Sequence, residues 1–356
     1  MSHRIKSIET KRAVVDRDQP VPPQWPSYTG TSQFVGTSAS GRVTVYVDPT
    51  LGVPGLQNAQ DLVNDADRVV SENDAQIFGA AGGPVNVIIF ALGGMTDGTG
   101  GADHMGCDYT TGSAIEVCAA FGNAARVSAL FEAELSECSM GGNLCGESTG
   151  EALSRWCAAV ISNNALSDFA TAPQWAQDGM PNYVDQTDPT DQNPDSTGCG
   201  MAFISWLLSE GHALDQIAQT MVSLANIGTF AQLYARLTSD LATNAWPAFQ
   251  AAVEALPNGV ASDDPFGGTS QPAQLAHLAP WTVELSGKIF STILTAVAAG
   301  KTAHQIVANV RAVLVSAPGA KSAAPAEKAS VVVAKAASSP ASVCSIKSRR
   351  LLPIAR

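Results

Sequence analysis

The stretch Ala129–Met140, ALFEAELSECSM, decides the predicted fold because its spacing is that of a helix facing a core. Glu134 falls inside its apolar stripe and Glu137 lies at the border of that stripe. A helix that turns carboxylates toward its buried side is a candidate for carrying a functional site. The stripe has i, i+3, i+4 and i+7 spacing and consists of Val127, Leu130, Phe131, Leu135 and Cys138.

Periodicity around this helix predicts an α+β protein. Alternating or continuous apolar runs predict strands within 41–49, 83–92 and 113–121, with one helix from about residue 56 to 70 between the first two. After the quoted helix the chain is mostly helical. The predicted helices lie within 148–162, 199–211, 213–225, 229–241 and 245–256. This order predicts a small mixed or antiparallel sheet with a site-bearing helix, followed by a mostly helical half.

Composition divides the chain into four parts. Residues 1–40 are polar and rich in Pro, Ser and Thr, which predicts a flexible N-terminal arm. Residues 41–266 carry the predicted elements and form the expected domain. Residues 271–315 have amphipathic spacing and are predicted to be a helical extension. Residues 316–356 are rich in Ala, Ser and Lys, which predicts a disordered tail.

The charge balance excludes some classes of partner. The net charge is −12 over 356 residues, so the protein repels phosphate backbones and we expect no nucleic-acid partner. No uninterrupted apolar run reaches about 18 residues, so we expect no membrane span. The first twenty residues lack the apolar region of a secretory signal. A cytoplasmic location is therefore the default expectation, and an extracellular one is the alternative.

The cysteines allow two interpretations. Six of the seven lie between Cys107 and Cys199, and none forms a C-x-x-C pair, so a structural zinc knuckle is not expected. In an oxidising compartment the six could form up to three disulfides. In the cytosol they would be small buried apolar residues.

Three glutamates and one histidine are the candidate site residues. Glu134 and Glu137 are three apart on one helix and are therefore neighbours, while Glu151 opens the next helix. His104 lies in the Gly-rich loop DGTGGADHMGCD, from which it could approach the carboxylates. Converging carboxylates can bind a hard divalent cation, or one of them can act as general acid or base. We therefore expect Glu134 to be catalytic and Glu137, Glu151 and His104 to be metal ligands.

Each candidate also has a structural interpretation. Glu134 could pair with Arg126 or Arg155, and Glu137 could be solvated. Glu151 ends the stretch Ser148-x-x-Glu151, which is the capping-box pattern. A loop histidine is more often a hydrogen-bonding or exposed residue than a ligand.

The order of elements and two short motifs resemble the gluzincin metallopeptidases, more closely the basic-secretory-protein type. The motifs are AELSE at 133–137 and GEALSRW at 150–156. The family carries His-Glu-x-x-His on its active-site helix and takes a third zinc ligand from a Glu that opens the following helix. The resemblance implies a zincin-like fold over 41–266 and a peptide or protein substrate. It places Glu134 at the position of the general base and Glu151 at that of the Glu ligand.

The chain departs from the family at both zinc-binding histidines. Ala133 and Glu137 occupy those two positions, and alanine supplies no ligand. We therefore expect an atypical or inactive peptidase homologue, in which carboxylates hold a divalent metal in place of the family's zinc site. Two alternatives stay open. One is a binding or structural protein that holds a peptide or glycan in the same cleft without catalysis. The other is a carboxylate-based hydrolase.

Overall fold

The structure, a computed structural model, combines a five-stranded sheet with α-helices. It describes residues 20–92, 96–106, 108–109, 113–140, 144–162, 166–189, 192–225 and 227–270. The strands are β1 (Gln33–Thr37), β2 (Val43–Val47), β3 (Val85–Phe90), β4 (Ala102–His104) and β5 (Ala114–Cys118). Eight α-helices lie in the described part of the chain: α1 (Gly52–Val70), α2 (Ala124–Ser139), α3 (Ser148–Ile161), α4 (Ala172–Gln177), α5 (Pro194–Ser209), α6 (Leu214–Leu224), α7 (Phe230–Thr238) and α8 (Ala245–Glu254).

The sheet is mixed, with strand order β1-β2-β3-β5-β4. The three inner strands, β2, β3 and β5, run parallel, and each outer strand is antiparallel to its neighbour. The inner strands are almost continuously buried because both faces of the sheet are covered. A small mixed sheet followed by a mostly helical half is therefore confirmed.

Helix α2 lies between the two halves of the protein and is buried on all sides. It contacts α1 and β5 on one side and α3 on the other. Every residue from Arg126 to Cys138 is buried. Because every side chain in this stretch is buried, the carboxylates of α2 are enclosed wherever they fall on the helix.

The helical half is organised around α5, whose residues from Ser196 to Leu208 are all buried. Two glycines let neighbouring elements approach it. A Cβ at Gly198 would lie 2.4 Å from the Thr171 carbonyl oxygen, and one at Gly200 would lie 2.6 Å from the Ala152 Cβ. Side chains at these positions would force α4 and α3 away from α5. The sequence signal for this close packing is the small-residue stretch that precedes the apolar helix.

The N-terminal segment covers the second face of the sheet. Trp25 packs edge-on against Tyr46 of β2, with ring centroids 5.4 Å apart. The fully buried Glu116 of β5 accepts hydrogen bonds from the backbone amides of Ser27 and Tyr28 at 2.9 and 2.5 Å. Residues 25–37 are thus packed against the sheet, which differs from the flexible arm predicted over 1–40.

The edge of the sheet also differs from the prediction. The strand predicted within 113–121 forms β5 in the interior of the sheet, and the unpredicted strand β4, inside the Gly-rich loop, forms the edge beside it. The predicted extension 271–315 and tail 316–356 lie outside the described residues. Among the helices that are described, none combines the length and apolar character that crossing a membrane requires.

Candidate functional site

His104, the last residue of the edge strand β4, is the centre of the candidate site. It is 2% exposed, so the predicted loop residue is in fact a buried strand residue. His104 pairs with Ile115 of β5 in the sheet register. Its backbone amide donates to the Asp103 carboxylate at 2.8 Å. The strand pairing fixes the imidazole on the side of the sheet edge where α2 packs.

Two carboxylates of α2 face this imidazole. The Glu137 Oε2 atom lies 3.0 Å from His104 Nε2, within hydrogen-bond distance, and Glu134 Oε2 lies 3.9 Å from the same nitrogen. Glu134 is 3% exposed and Glu137 is 2% exposed, so neither is solvated. The structure therefore brings together three of the four predicted site residues, including both glutamates of the quoted stretch.

A cleft that encloses only about 60 Å³, within a wider recess of about 680 Å³ that includes open solvent, adjoins this cluster. Glu134 and Glu151 both line it, whereas Glu137 and His104 lie behind its wall and do not. Most of the remaining wall is apolar and includes Leu130, Ala133, Leu166, Phe169 and Met201. Of the two α2 carboxylates, Glu134 is thus the one that a molecule in the cleft can reach.

Glu151 lies apart from the histidine cluster in its contacts. Its Oε1 atom accepts a hydrogen bond from Arg155 Nε at 2.8 Å, and the Arg155 Nη1 atom donates to the Phe169 carbonyl at 2.9 Å. The capping box is not formed: Glu147 is the N-cap residue, and the Ser148 hydroxyl accepts from the Asp188 amide. Glu151 therefore contributes a charged pair to the cleft wall.

A third potential ligand comes from the loop between α2 and α3. The Sγ atom of Cys145, a ring nitrogen of His104 and a carboxylate oxygen of Glu137 all lie within 4.8 Å of one another, and among the described residues this is the group of three that could hold a metal ion. Neither Glu134 nor Glu151 belongs to that group. In this structure Cys145 is in a disulfide bond, so its sulfur is not available as a ligand.

The other described cysteines are free. Cys118, Cys138, Cys157 and Cys199 are buried thiols, so the three disulfides considered for the six clustered cysteines do not form. Burial raises the pKa of the Cys138 thiol well above its ordinary value, and the charges of Glu137 and Glu134 raise it further. Cys138 is therefore a protonated thiol despite its position beside the site, and it is not a nucleophile.

Further charged residues near the cleft were not predicted as part of a site. Arg126 of α2 is 1% exposed, donates to Asp168 at 3.0 Å and stacks over the Phe169 ring with 4.3 Å to the centroid. Burial lowers its pKa, and the charge of Asp168 opposes this shift. Asp263 lines the cleft and accepts two backbone amides, and burial raises its pKa. No local spacing signals these contacts, because the partners lie 42 and about 92 positions apart in the chain.

Comparison with known proteins adds nothing to this description, since no family model, curated protein or solved structure matches the chain.

Proposed function

We propose that this protein is a peptidase-like hydrolase whose centre is the His104–Glu137–Glu134 cluster. In this proposal His104 and Glu137 hold a divalent cation, and Glu134 accepts a proton at the floor of the cleft. The observation that carries the proposal is a buried imidazole, held by an edge strand, that faces two carboxylates of one helix beside an open cleft.

The donors fit a first-row divalent cation. Imidazole nitrogen and carboxylate oxygen are both ligands that such ions accept. Two donors that share one ion at about 2.1 Å each stand roughly 3 to 3.5 Å apart. The His104 Nε2–Glu137 Oε2 distance of 3.0 Å is close to that range. Bound there, a cation would polarise a substrate carbonyl and lower the pKa of a water molecule.

In this proposal, residues of the cleft carry out proton transfer and substrate binding. Glu134 is exposed to the cleft, so it is positioned to take a proton from a water molecule beside a bound substrate. The apolar wall excludes bulk water and suits an apolar side chain of a peptide. The Glu151–Arg155 pair offers charged and hydrogen-bonding groups to the polar backbone of a substrate.

The proposal also explains the departure from the gluzincin motif. Ala133 leaves the position of the first zinc-binding histidine without a ligand, although it lines the cleft. His104 supplies an imidazole from a different element, the edge strand. A zincin-like fold for 41–266 belongs to this proposal, and an edge strand antiparallel to its neighbour beside the site-bearing helix supports it.

A second candidate function is binding of a peptide or glycan without chemistry. The apolar cleft wall and the engagement of Glu151 with Arg155 favour it, since neither requires a reaction. The carboxylate-based hydrolase remains a third prediction, because Glu134 could pair with another acid of the cleft without any metal.

The test begins with elemental analysis of the purified full chain and calorimetric titration with Zn²⁺ and Mn²⁺. We expect about one ion per chain, lost in His104→Gln and kept in the matched variant His212→Gln, whose histidine lies away from the cleft. Hydrolysis of a fluorogenic peptide library should fall by roughly 100-fold or more in Glu134→Gln, with metal content unchanged. Glu254→Gln, an exposed glutamate, is the control for that variant.

Other outcomes separate the candidates. Activity that survives chelation and still requires Glu134 would favour the carboxylate-based hydrolase. Saturable peptide or glycan binding with no product, unchanged in Glu134→Gln, would favour the binding protein.

A further inference from the structure

The position of Cys145 next to the His104–Glu137 pair points to a redox-dependent metal site. The Sγ atom of Cys145 lies within 4.8 Å of a ring nitrogen of His104 and of a carboxylate oxygen of Glu137. The same sulfur is in a disulfide bond. A disulfide sulfur has no negative charge and binds metals poorly, whereas a thiolate is a strong ligand for zinc. The oxidation state of Cys145 therefore decides whether the cluster has two strong donors or three.

The backbone around Cys145 is held by contacts that do not depend on the disulfide. Leu144 is fully buried in the core of the helical half, and its carbonyl accepts a hydrogen bond from the Glu147 amide at 3.0 Å. Gly150 of α3 lies so close that an added Cβ would come within 2.2 Å of the Leu144 carbonyl oxygen. These contacts fix the loop on both sides of Cys145, so its sulfur stays beside His104 when the disulfide opens.

We propose that reduction of the Cys145 disulfide converts this cluster into a tight zinc site with His104, Glu137 and Cys145 as ligands. This inference rests on the proposed function, since it concerns the same metal centre. Three protein ligands leave the fourth position of a tetrahedral ion open, which is the arrangement of catalytic zinc sites. The addition of a soft sulfur ligand also shifts the preference of the site from harder ions toward zinc.

The chemistry of the switch balances with a dithiol as the reductant. The dithiol gives two electrons and two protons to the protein disulfide and leaves as its own cyclic disulfide, so two protein thiols are formed. Cys145 is half-buried, which leaves it accessible to such a reagent. When Zn²⁺ binds, the Cys145 thiol loses its proton to solvent and the sulfur becomes a ligand.

The experiment compares zinc affinity in the two redox states of the full chain. One sample is kept oxidised. The other is treated with dithiothreitol and freed of it by anaerobic gel filtration, because dithiols bind zinc themselves. Competition with a chromophoric chelator then gives the zinc Kd of each. We expect the reduced chain to bind one zinc on the order of 100-fold more tightly than the oxidised chain. Co²⁺ substitution should show a thiolate charge-transfer band in the reduced chain alone.

Two variants give the test its specificity. Cys145→Ser should bind zinc with the same weak Kd before and after treatment and should show no thiolate band. Cys118→Ser, which removes a buried free thiol outside the ligand group, should keep the full redox response. Circular dichroism checks that both variants fold.

The outcomes separate this inference from the proposed function. Equal zinc Kd in both redox states, with binding still lost in His104→Gln, would overturn the redox switch and leave the metal centre standing. A redox response that persists in Cys145→Ser would also overturn it, because another sulfur would then be responsible. Absence of metal binding in either state would overturn both proposals.

Discussion

Two groups of buried polar side chains contact the C-terminal half of α2, and they differ in the kinds of side chain they bring together and in whether they reach the cleft. The Asp74 group lies away from the cleft: Asp74 forms an ion pair with Arg42 at 2.6 Å and accepts hydrogen bonds from Asn73, Tyr109 and Ser139. In the His104 group, by contrast, an imidazole faces two glutamates of α2, one of which lines the cleft.

The comparison shows that burial of charge does not by itself mark a site. Asp74 is 2% exposed, as buried as Glu137, yet its partners include a cation and several hydrogen-bond donors. Such a set holds the wider π-helical turns at Ser71–Phe78 against α2. The His104 group combines nitrogen and oxygen donors with access to a cleft. Convergence of donors beside a cleft is therefore what indicates function here.

The largest expected effect is on stability, from Asp74→Asn. This change leaves Arg42 without its buried partner, which costs roughly 3–5 kcal/mol for a fully buried pair. We expect the lower end, about 3 kcal/mol, because the Arg42 side chain keeps 27% exposure. Urea unfolding measures the change. Asp65→Asn, which breaks an exposed Asp–Arg pair, is the matched control and should cost at most about 1 kcal/mol. Equal losses in the two variants would contradict a structural role for the Asp74 group.

A smaller loss of stability is expected from Glu137→Gln. The amide keeps a hydrogen-bonding group near His104 Nε2, so we expect a cost of about 1–2 kcal/mol in urea unfolding. Metal stoichiometry should fall to background in this variant, whereas Asp74→Asn should keep its metal. If Glu137→Gln destabilised the protein as much as Asp74→Asn and kept the metal, the two groups would not differ in the way described.

The smallest expected effect comes from Glu132, which lies on α2 ahead of Glu134, Glu137 and Ser139 and belongs to neither group. Within the described structure it is fully buried, and neither carboxylate oxygen has a hydrogen-bond partner. Burial raises its pKa well above the ordinary 4.5, and the charges of Asp74 and Glu72 add to the shift. Between pH 4.5 and this raised pKa, Glu132 therefore stays protonated in the folded protein and is ionised in the unfolded chain. The contribution of Glu132 to the free energy of unfolding is fully present below pH 4.5, and it is lost as the pH rises toward the pKa of the folded state.

Glu132→Gln removes this titration. We expect the variant to be more stable than the native chain by about 1 kcal/mol at neutral pH, and the advantage to shrink as the pH falls toward the ordinary pKa. Thermal unfolding at a series of pH values measures it. Glu254→Gln, at an exposed glutamate, is the control for replacing a surface carboxylate. A Glu132→Gln profile parallel to that of the native chain would contradict the raised pKa.

The sequence predicts those helices and strands whose hydrophobic pattern extends over enough residues to show a period. The alternation in β2 and the apolar runs in β3 and α5 appear where expected, and so does the helix with Glu134 and Glu137. β1 was missed because a bulge between Phe34 and Gly36 interrupts its alternation. β4 was missed because three residues among glycines carry no period.

The candidate site could be predicted only in part, for a related reason. Spacing on one helix brings Glu134 and Glu137 together, and sequence alone shows this. His104 lies 33 positions before Glu137 in the chain, and Cys145 lies eight positions after it. Their approach to Glu137 depends on how strand β4 and the loop after α2 fold back onto the helix. Local pattern carries no information about such contacts. The ligand role of Glu151 stays a prediction, and the structure adds that its Oε1 atom accepts a hydrogen bond from Arg155.

The shortness of β4 has a consequence for how the protein tolerates insertions. Side chains alternate between the two faces of a strand. A shift of one residue in the pairing of β4 would therefore turn His104 to the opposite face, where Glu116 accepts a hydrogen bond from Ser27, and would put an adjacent residue in its place. Three paired residues at a sheet edge contribute little to the total stability. We therefore expect one residue added or removed ahead of Ala102 to leave a folded chain in which His104 no longer faces Glu134 and Glu137.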